Sequence, residues 1–318
     1  MRIIYLGTPE FAVPTLQKLL SWEHGEVVAV VTQPDRPAGR GNHIYAPPTK
    51  IVAEAHKIPV LQPEKLSRSP EVVQAMRELN ADIMVMVAFG QILKKEVLSM
   101  TPMGVMNLHG SLLPKYRGAA PINWAIIQGE TVTGNTTMFS DSGVDTGTML
   151  LKQQVPITPD MNAEELAQTM AVTGADLVIE TLELLRLGKI TPTVQDDSQA
   201  TFAPRLSKET GLIDFKKSAQ QVHNLVRGLV PWPGAYTTIG GATLKVSATR
   251  VLIGEMPAGT SAPGTLIVDG GKVAVTCGAN GEELIELLEV QPPNKSKMKA
   301  RDWVNGARLK TGIELATV

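Results

Sequence analysis

The sequence predicts an α/β fold: a doubly wound, mostly parallel sheet, followed by a second, OB-like β-barrel domain. Three observations carry this. Short apolar runs alternate with amphipathic stretches from Arg2 to Arg186, which is the grammar of strands crossed by helices. From Ala235 onward the runs are short, alternating and separated by Gly and Pro, as in a small barrel. Between the two, a polar, Pro-containing stretch has linker composition. At 318 residues the chain is long for one core. The expected division is a catalytic domain over 1–188, a linker over 189–204 and the barrel domain over 205–318.

Taken in order, Arg2–Gly7 reads as a buried first strand, and Thr8 opens a helix reaching about Ser21. Glu26–Thr32 is a Val-rich second strand. Gln33 to Pro48 has Gly and Pro throughout and no periodicity, so it reads as a long loop. A helix, a short strand and a helix follow to about residue 79. Asp82–Ala88 is a fully buried strand, and Phe89-Gly90-Gln91-Ile92-Leu93 leaves its end. Gly104–Leu108 is the next strand, Pro121–Gln128 a helix, and Thr133–Phe139 and Thr148–Val155 a later strand pair. A long amphipathic helix covers about Asn162 to Arg186. In the second half a helix is expected over Ser218–Gly228. Strands are expected at Ala235–Ile239, Ala242–Val246, Val251–Ile253, Gly264–Val268, Lys272–Cys277 and Leu284–Val290. Trp232, in Pro-Trp-Pro-Gly, reads as a core tryptophan, with stacking on a base as the alternative.

Composition narrows the class. The chain is 43% hydrophobic and 19% charged, ordinary for a globular protein. No apolar run approaches the ~18 residues of a membrane span, no secretory leader is evident, and a cytoplasmic location is expected. The single cysteine, Cys277, rules out an internal disulfide and a cysteine-based metal site. It reads as a strand residue. Net charge is −5 over residues 1–204 (16 basic, 21 acidic) and +4 over 205–318 (14 basic, 10 acidic). A basic second half suits a polyanionic partner.

The chemistry concentrates in Asn107-Leu-His109-Gly-Ser111-Leu112-Leu113-Pro114-Lys-Tyr-Arg117-Gly118-Ala-Ala-Pro121. Strand alternation puts Asn107 and His109 on one face, at the C-terminal end of a parallel strand, where ligands bind open sheets. Asp145, in an Asp-Thr-Gly turn, is the third candidate. An amide, an imidazole and a carboxylate suit acyl transfer to an amine without a covalent intermediate. The amide and imidazole donate to the tetrahedral oxyanion, and the carboxylate supports the imidazole or takes on the amine proton. Ser111 lacks the Gly-x-Ser-x-Gly setting of a nucleophile. Gly7-Thr-Pro-Glu-Phe-Ala lacks the dinucleotide fingerprint, and no histidine spacing supports a metal.

These residues, with Asp141-x-Gly-x-Asp145-Thr-Gly147 further on, resemble the folate-dependent formyltransferases. So do the Gln33-Pro-Asp-Arg-Pro-Ala-Gly-Arg40-Gly41 loop and Phe202-Ala-Pro-Arg-Leu-Ser-Lys-Glu209. The resemblance runs from Arg2 to about residue 310. It implies a Rossmann-like formyltransferase domain with Asn107, His109 and Asp145 as the catalytic trio. It implies a 10-formyltetrahydrofolate site lined by Gln91, Ile92, Leu93, Ser111, Leu112, Leu113, Pro114 and Asp141, and no metal. The formyl group then passes to the α-amine of methionine on initiator tRNA. Arg40 is expected to contact the tRNA, as is the basic strip Lys295, Lys297, Lys299 and Arg301. Phe89 and Arg205 stand where the family commonly has Tyr and Lys. A monomer is expected, with no membrane partner. Two rivals are formylation of a small amine and a non-catalytic RNA-binding protein. Of the small amines, a glycinamide ribonucleotide or an amino sugar, the second domain weighs against the ribonucleotide, because the purine formyltransferases resemble only the N-terminal unit. The intact trio weighs against the RNA-binding rival.

Overall fold

The first strand shows why the sheet is covered on both sides. The computed structural model describes residues 1–38, 43–253 and 261–316. Its elements begin with β1 (Arg2–Gly7), α1 (Val13–Ser21), β2 (Glu26–Val31), β3 (Arg36–Ala38), β4 (His43–Tyr45), α2 (Pro48–Ala55), β5 (Val60–Leu61), α3 (Pro70–Glu78) and β6 (Ile83–Val87). They continue with α4 (Lys95–Leu98), β7 (Val105–His109), β8 (Arg117–Gly118), α5 (Pro121–Ile127), β9 (Val132–Phe139), β10 (Met149–Pro156), α6 (Ala163–Arg186) and β11 (Phe202–Ala203). Ile3 and Tyr5 of β1 pack with Leu16 and Leu19 of α1 and with Leu177, Val178 and Leu182 of α6. Ile4 and Leu6, pointing the other way, pack with Val73 and Met76 of α3. A strand buried on both faces needs a continuous apolar run, and β1 has one.

Two compact units emerge. The first comprises Met1–Pro121, Val132–Pro156 and Ala167–Ala203, and the second Ile122–Thr131, Ile157–Leu166 and Pro204–Val318. The first unit holds a seven-stranded sheet in the order β10-β9-β7-β6-β1-β2-β5. Strands β5, β2, β1, β6 and β7 are parallel, while at one edge β9 runs antiparallel to both of its neighbours, β7 and β10. The chain builds outward from β1 through β2 to β5, then reverses to β6 and β7. Such a switch opens a crevice beyond the carboxyl ends of the strands.

Several details differ from the sequence reading. The loop over 33–48 contains the β3–β4 hairpin. At its root Asp35 accepts from Lys50 Nζ (2.7 Å) and Gln62 Nε2 (2.7 Å), and these bonds hold the Asp35 carboxyl below its usual range. Residues 189–203 belong to the first unit, where β11 pairs in parallel with β8.

The second unit contains α7 (Ala219–Gly228), β12 (Ala235–Ile239), β13 (Ala242–Leu252), β14 (Leu266–Asp269), β15 (Lys272–Cys277), β16 (Glu283–Gln291), β17 (Met298–Lys299) and α8 (Ala300–Ala307). Helix α7 begins in a full capping box between Ser218 and Gln221. The sheet order is β12-β13-β16-β15-β14, all antiparallel. The C-terminal segment bonds to both edges. Leu315 N donates to Gly264 O (2.8 Å) and Ala316 N to Thr238 O (2.8 Å). Strand β13 is continuous where two strands were expected, because register shifts around Ala248 absorb the polar break. Helix α8, unforeseen, buries Trp303 and Val304. Trp232 is not a core residue: it is 55% exposed, set between Pro231 and Pro233 in a turn that leaves the indole outward.

Candidate active site

Strand β7 ends at the crevice, and its last residues supply two of the expected groups. Asn107 is 7% exposed, and among the described residues its amide has no hydrogen-bond partner. The amide atoms are not sealed from solvent, so the group is open to a ligand atom. His109 is also buried. Its Nε2 lies 2.9 Å from the Tyr116 carbonyl. A carbonyl only accepts, so Nε2 carries a proton and donates. The other ring nitrogen, Nδ1, lies 3.5 Å from Asp145 Oδ2. The structure therefore brings His109 and Asp145 together across 36 residues of chain, with Nδ1 facing the carboxylate.

Asp145 sits at φ +55°, a left-handed conformation disfavoured for a residue with a Cβ. Three bonds hold it there. Gly118 N donates to its Oδ2 (2.9 Å), and Gln195 Nε2 donates to its carbonyl (2.8 Å) and to that of Gly147 (2.8 Å). Arg117, also buried, donates from Nε and Nη2 to Gln195 Oε1 (3.0 and 2.8 Å), and its Nη2 also reaches Asp197 Oδ1 (2.7 Å). Gly147 is required by space, because an added Cβ would lie 1.6 Å from the Phe139 carbonyl oxygen.

The loop after β7 is built from within. The Ser111 hydroxyl donates to the Lys115 carbonyl (2.5 Å), and Thr136 Oγ1 donates to the Ser111 carbonyl (2.7 Å). Lys152 Nζ donates to the Leu113 carbonyl (2.5 Å), and burial lowers its pKa. The Leu113–Pro114 peptide is cis, and the Leu113 side chain packs on Met138 and Met149. Leu112 and Pro114 are half-buried.

Beyond β6, the Gln91 side chain is engaged with the neighbouring segment: Oε1 accepts from Leu66 N (2.7 Å) and Nε2 donates to Pro63 O (3.1 Å). Among the described residues, the backbone groups of Gln91, Ile92 and Leu93 have no partner. Ile92 is 79% exposed, whereas Leu93 is buried in the sheet core. Asp141 is exposed, and its Oδ1 accepts from Gly143 N (2.9 Å) and Thr146 Oγ1 (2.7 Å), shaping the turn that carries Asp145.

The expected nucleic-acid contacts lie elsewhere. Arg40 lies outside the described residues. Lys295, Lys297, Lys299 and Arg301 are exposed in the second unit. Lys297 pairs with Glu289 (3.3 Å), and the Arg301 guanidinium lies over Gly271. Among the described residues, no cluster of three or more His, Cys, Asp or Glu suits a metal, and no helix is long and apolar enough to cross a membrane.

Sequence reasoning missed the supports of the trio: Arg117 as a buried clamp, Gln195, and the backbone of Tyr116 and Gly118. Arg117 lies within the Asn107–Pro121 motif and was open to notice. Gln195 sits in a polar stretch with no signal of its own.

An amide and an imidazole thus stand at the carboxyl end of the parallel strand β7, with a carboxylate facing the imidazole. The comparisons name the class. Residues 1–182 match the formyl transferase family, and residues 205–308 match its C-terminal domain. This chain belongs to the formyl transferase family and is an enzyme of that class.

The relatives narrow it further. A protein of Geotalea daltonii named methionyl-tRNA formyltransferase is 50% identical over 315 residues, covering 99% of this chain and 98% of its own. One of the same name in Trichlorobacter lovleyi is 51% identical, covering 99% and 96%. Among solved structures, the N-formyltransferase of Helicobacter canadensis, in complex with folinic acid and dTDP-3-aminofucose, superposes with a TM-score of 0.67. It is 19% identical, with 90% of this chain and 98% of that one covered. Glycinamide ribonucleotide transformylase 1 of Symbiobacterium toebii superposes at 0.51 and 20% identity, over 62% of this chain and 94% of its own. At these identities the two structures speak to fold alone.

Proposed function

We propose that this enzyme moves the formyl group of 10-formyltetrahydrofolate to the α-amine of methionine esterified to initiator tRNA, the step that prepares it for translation initiation. The observation that carries this is identity near one half, over both domains, to proteins named for that reaction.

The site supplies a mechanism. The neutral amine attacks the formyl carbon and forms the new C–N bond, and the carbonyl π electrons move to oxygen. Asn107, close to buried and without a partner, donates to that oxyanion. Collapse of the tetrahedral species re-forms the carbonyl and breaks the bond to N10 of the folate. The amine loses one proton and N10 gains one. Both pass through the His109 Nδ1–Asp145 pair, whose 3.5 Å separation closes to a hydrogen bond as charge develops. With Nε2 engaged at Tyr116, His109 acts through Nδ1.

The partnerless backbone of Gln91, Ile92 and Leu93 supports reading that segment as an edge for the flat pterin. Ser111 to Pro114 and Asp141 form the facing loops. The first unit, with residues 189–203 folded into it, carries catalysis and residues 205–318 bind tRNA, in a cytoplasmic monomer. Arg40 and the strip Lys295, Lys297, Lys299 and Arg301 contact phosphates of the tRNA. The test is transfer from labelled 10-formyltetrahydrofolate to charged tRNA, uncharged tRNA and a small free amine, at two salt concentrations. Label on charged initiator tRNA only, declining with salt, is the expected result. Equal labelling of the small amine overturns the reading.

A further inference from the structure

The Arg117–Gln195 network leaves little freedom to the turn bearing Asp145, and the Gln195 amide within it is fully hydrogen-bonded. On one side, the Gln195 carboxamide oxygen meets only donors, Arg117 Nε and Nη2 at 3.0 and 2.8 Å. On the other, its nitrogen meets only acceptors, the carbonyls of Asp145 and Gly147, each at 2.8 Å. This polarity fixes which way the amide points and uses both of its N–H groups. Arg117 and Gln195 are both buried, so water does not compete for these bonds. What they hold is a left-handed aspartate whose carboxylate faces His109. The residue next to Arg117, Gly118, donates to that same carboxylate.

We propose that Arg117 and Gln195 are positioning residues for formyl transfer: they hold the backbone of the Asp145 turn so that its carboxylate meets His109 Nδ1. The proposal rests on Asp145 being catalytic. Neither residue touches the reacting atoms, so their loss acts on the chemical step and leaves substrate binding in place. Misplacement of a catalytic group by about 1 Å costs on the order of a hundredfold.

The decisive variant is Gln195→Glu. It keeps an acceptor for Arg117 but replaces both donors to the turn with an oxygen that repels the two carbonyls. Expected is a fall in kcat of about ten- to a hundredfold, with KM for folate and for tRNA within about threefold of wild type. Arg117→Lys, which keeps the charge and loses the fork, follows in the same direction with a smaller fall. The coupling is read in Asp145→Asn/Gln195→Glu: if Gln195 acts through Asp145, the double variant is no slower than Asp145→Asn alone. The proposal is overturned if Gln195→Glu keeps wild-type kcat while Asp145→Asn has lost it, or if the two losses multiply. If Asp145→Asn itself turns over normally, the underlying reading of Asp145 fails instead. Should Gln195→Glu fold poorly, Gln195→Leu and Arg117→Lys carry the same kcat-against-KM comparison.

Discussion

His109 donates from Nε2 to the carbonyl of Tyr116 at 2.9 Å, and this one bond settles the chemistry of the ring. The proton on Nε2 is committed to an acceptor that cannot return it. Nδ1 is left facing the only carboxylate in its reach among the described residues, Asp145 at 3.5 Å, and is the exchanging nitrogen of the proposed mechanism. A backbone carbonyl that fixes a histidine tautomer is a recurrent way of aiming the working nitrogen.

Asn107→Ala separates function from stability. Loss of an oxyanion donor lowers kcat by about 10²–10³. No hydrogen bond within the protein is broken, so the melting temperature falls far less than kcat does. Single-turnover rates and a thermal melt check both halves. A clear drop in the melt assigns the amide a structural role instead.

Gly147→Ala and Gly306→Ala predict opposite outcomes. At Gly147 the new methyl would lie 1.6 Å from the Phe139 carbonyl oxygen, so the Asp145 turn must shift. Turnover and stability both fall. Gly306, inside α8, has nothing within 4 Å of an added Cβ. Its replacement stabilises by about 0.5–1 kcal/mol, measurable by denaturant titration.

His223 makes the second unit sensitive to mild acid. It lies buried, with Nδ1 3.0 Å from Thr249 Oγ1 and Nε2 3.3 Å from the Pro159 carbonyl. Burial above all pushes its pKa below 6.5; nearby Arg227 adds to this, and the Pro159 carbonyl and Asp160 oppose it. The unfolded chain thus takes the proton first. The stability is complete above about pH 6.5 and is lost as pH falls through the folded value. Melts between about pH 7.5 and 5.5 should show this slope, and His223→Gln should flatten it. An unchanged slope in that variant removes His223 as the source.

Removing the chain from Gly312 onward should open the second unit. That segment bonds to Gly264 and Leu266 at one edge and to Thr238 at the other, and buries Leu315. Loss of the leucine alone is worth about 2–5 kcal/mol. Exposure of two strand edges adds a tendency to associate. Denaturant unfolding and light scattering test the two effects, and wild-type values in both refute the closure.

Much of this was legible in the sequence because periodicity reports burial directly. The run Ile3–Leu6 announces a strand buried on both faces, and two-residue alternation pairs Asn107 with His109. Long-range partnerships left no such trace. Gln195 is polar among polar residues, and only the meeting of distant segments makes it a clamp. The β13 bulge hid because Ser247 to Arg250 lack alternation, although the register shift keeps the strand whole. Helix α8 hid because it is short and carries only Trp303 and Val304 as large apolar side chains. Trp232 went astray because aromatic residues are read as core by default, and a Pro-Trp-Pro turn overrides that default.

Tyr116, Arg117 and Gly118 are consecutive. The first receives His109, the second steadies the Asp145 turn through Gln195, and the third binds the Asp145 carboxylate. Two groups from remote parts of the chain thus share one short mount. Thermal displacement of that mount carries both in the same direction, so it largely cancels from the gap between them. In the proposed mechanism, proton transfer depends on that gap and not on either position alone. The tripeptide acts as a common-mode filter, keeping the reactive separation steadier than the loops that create it.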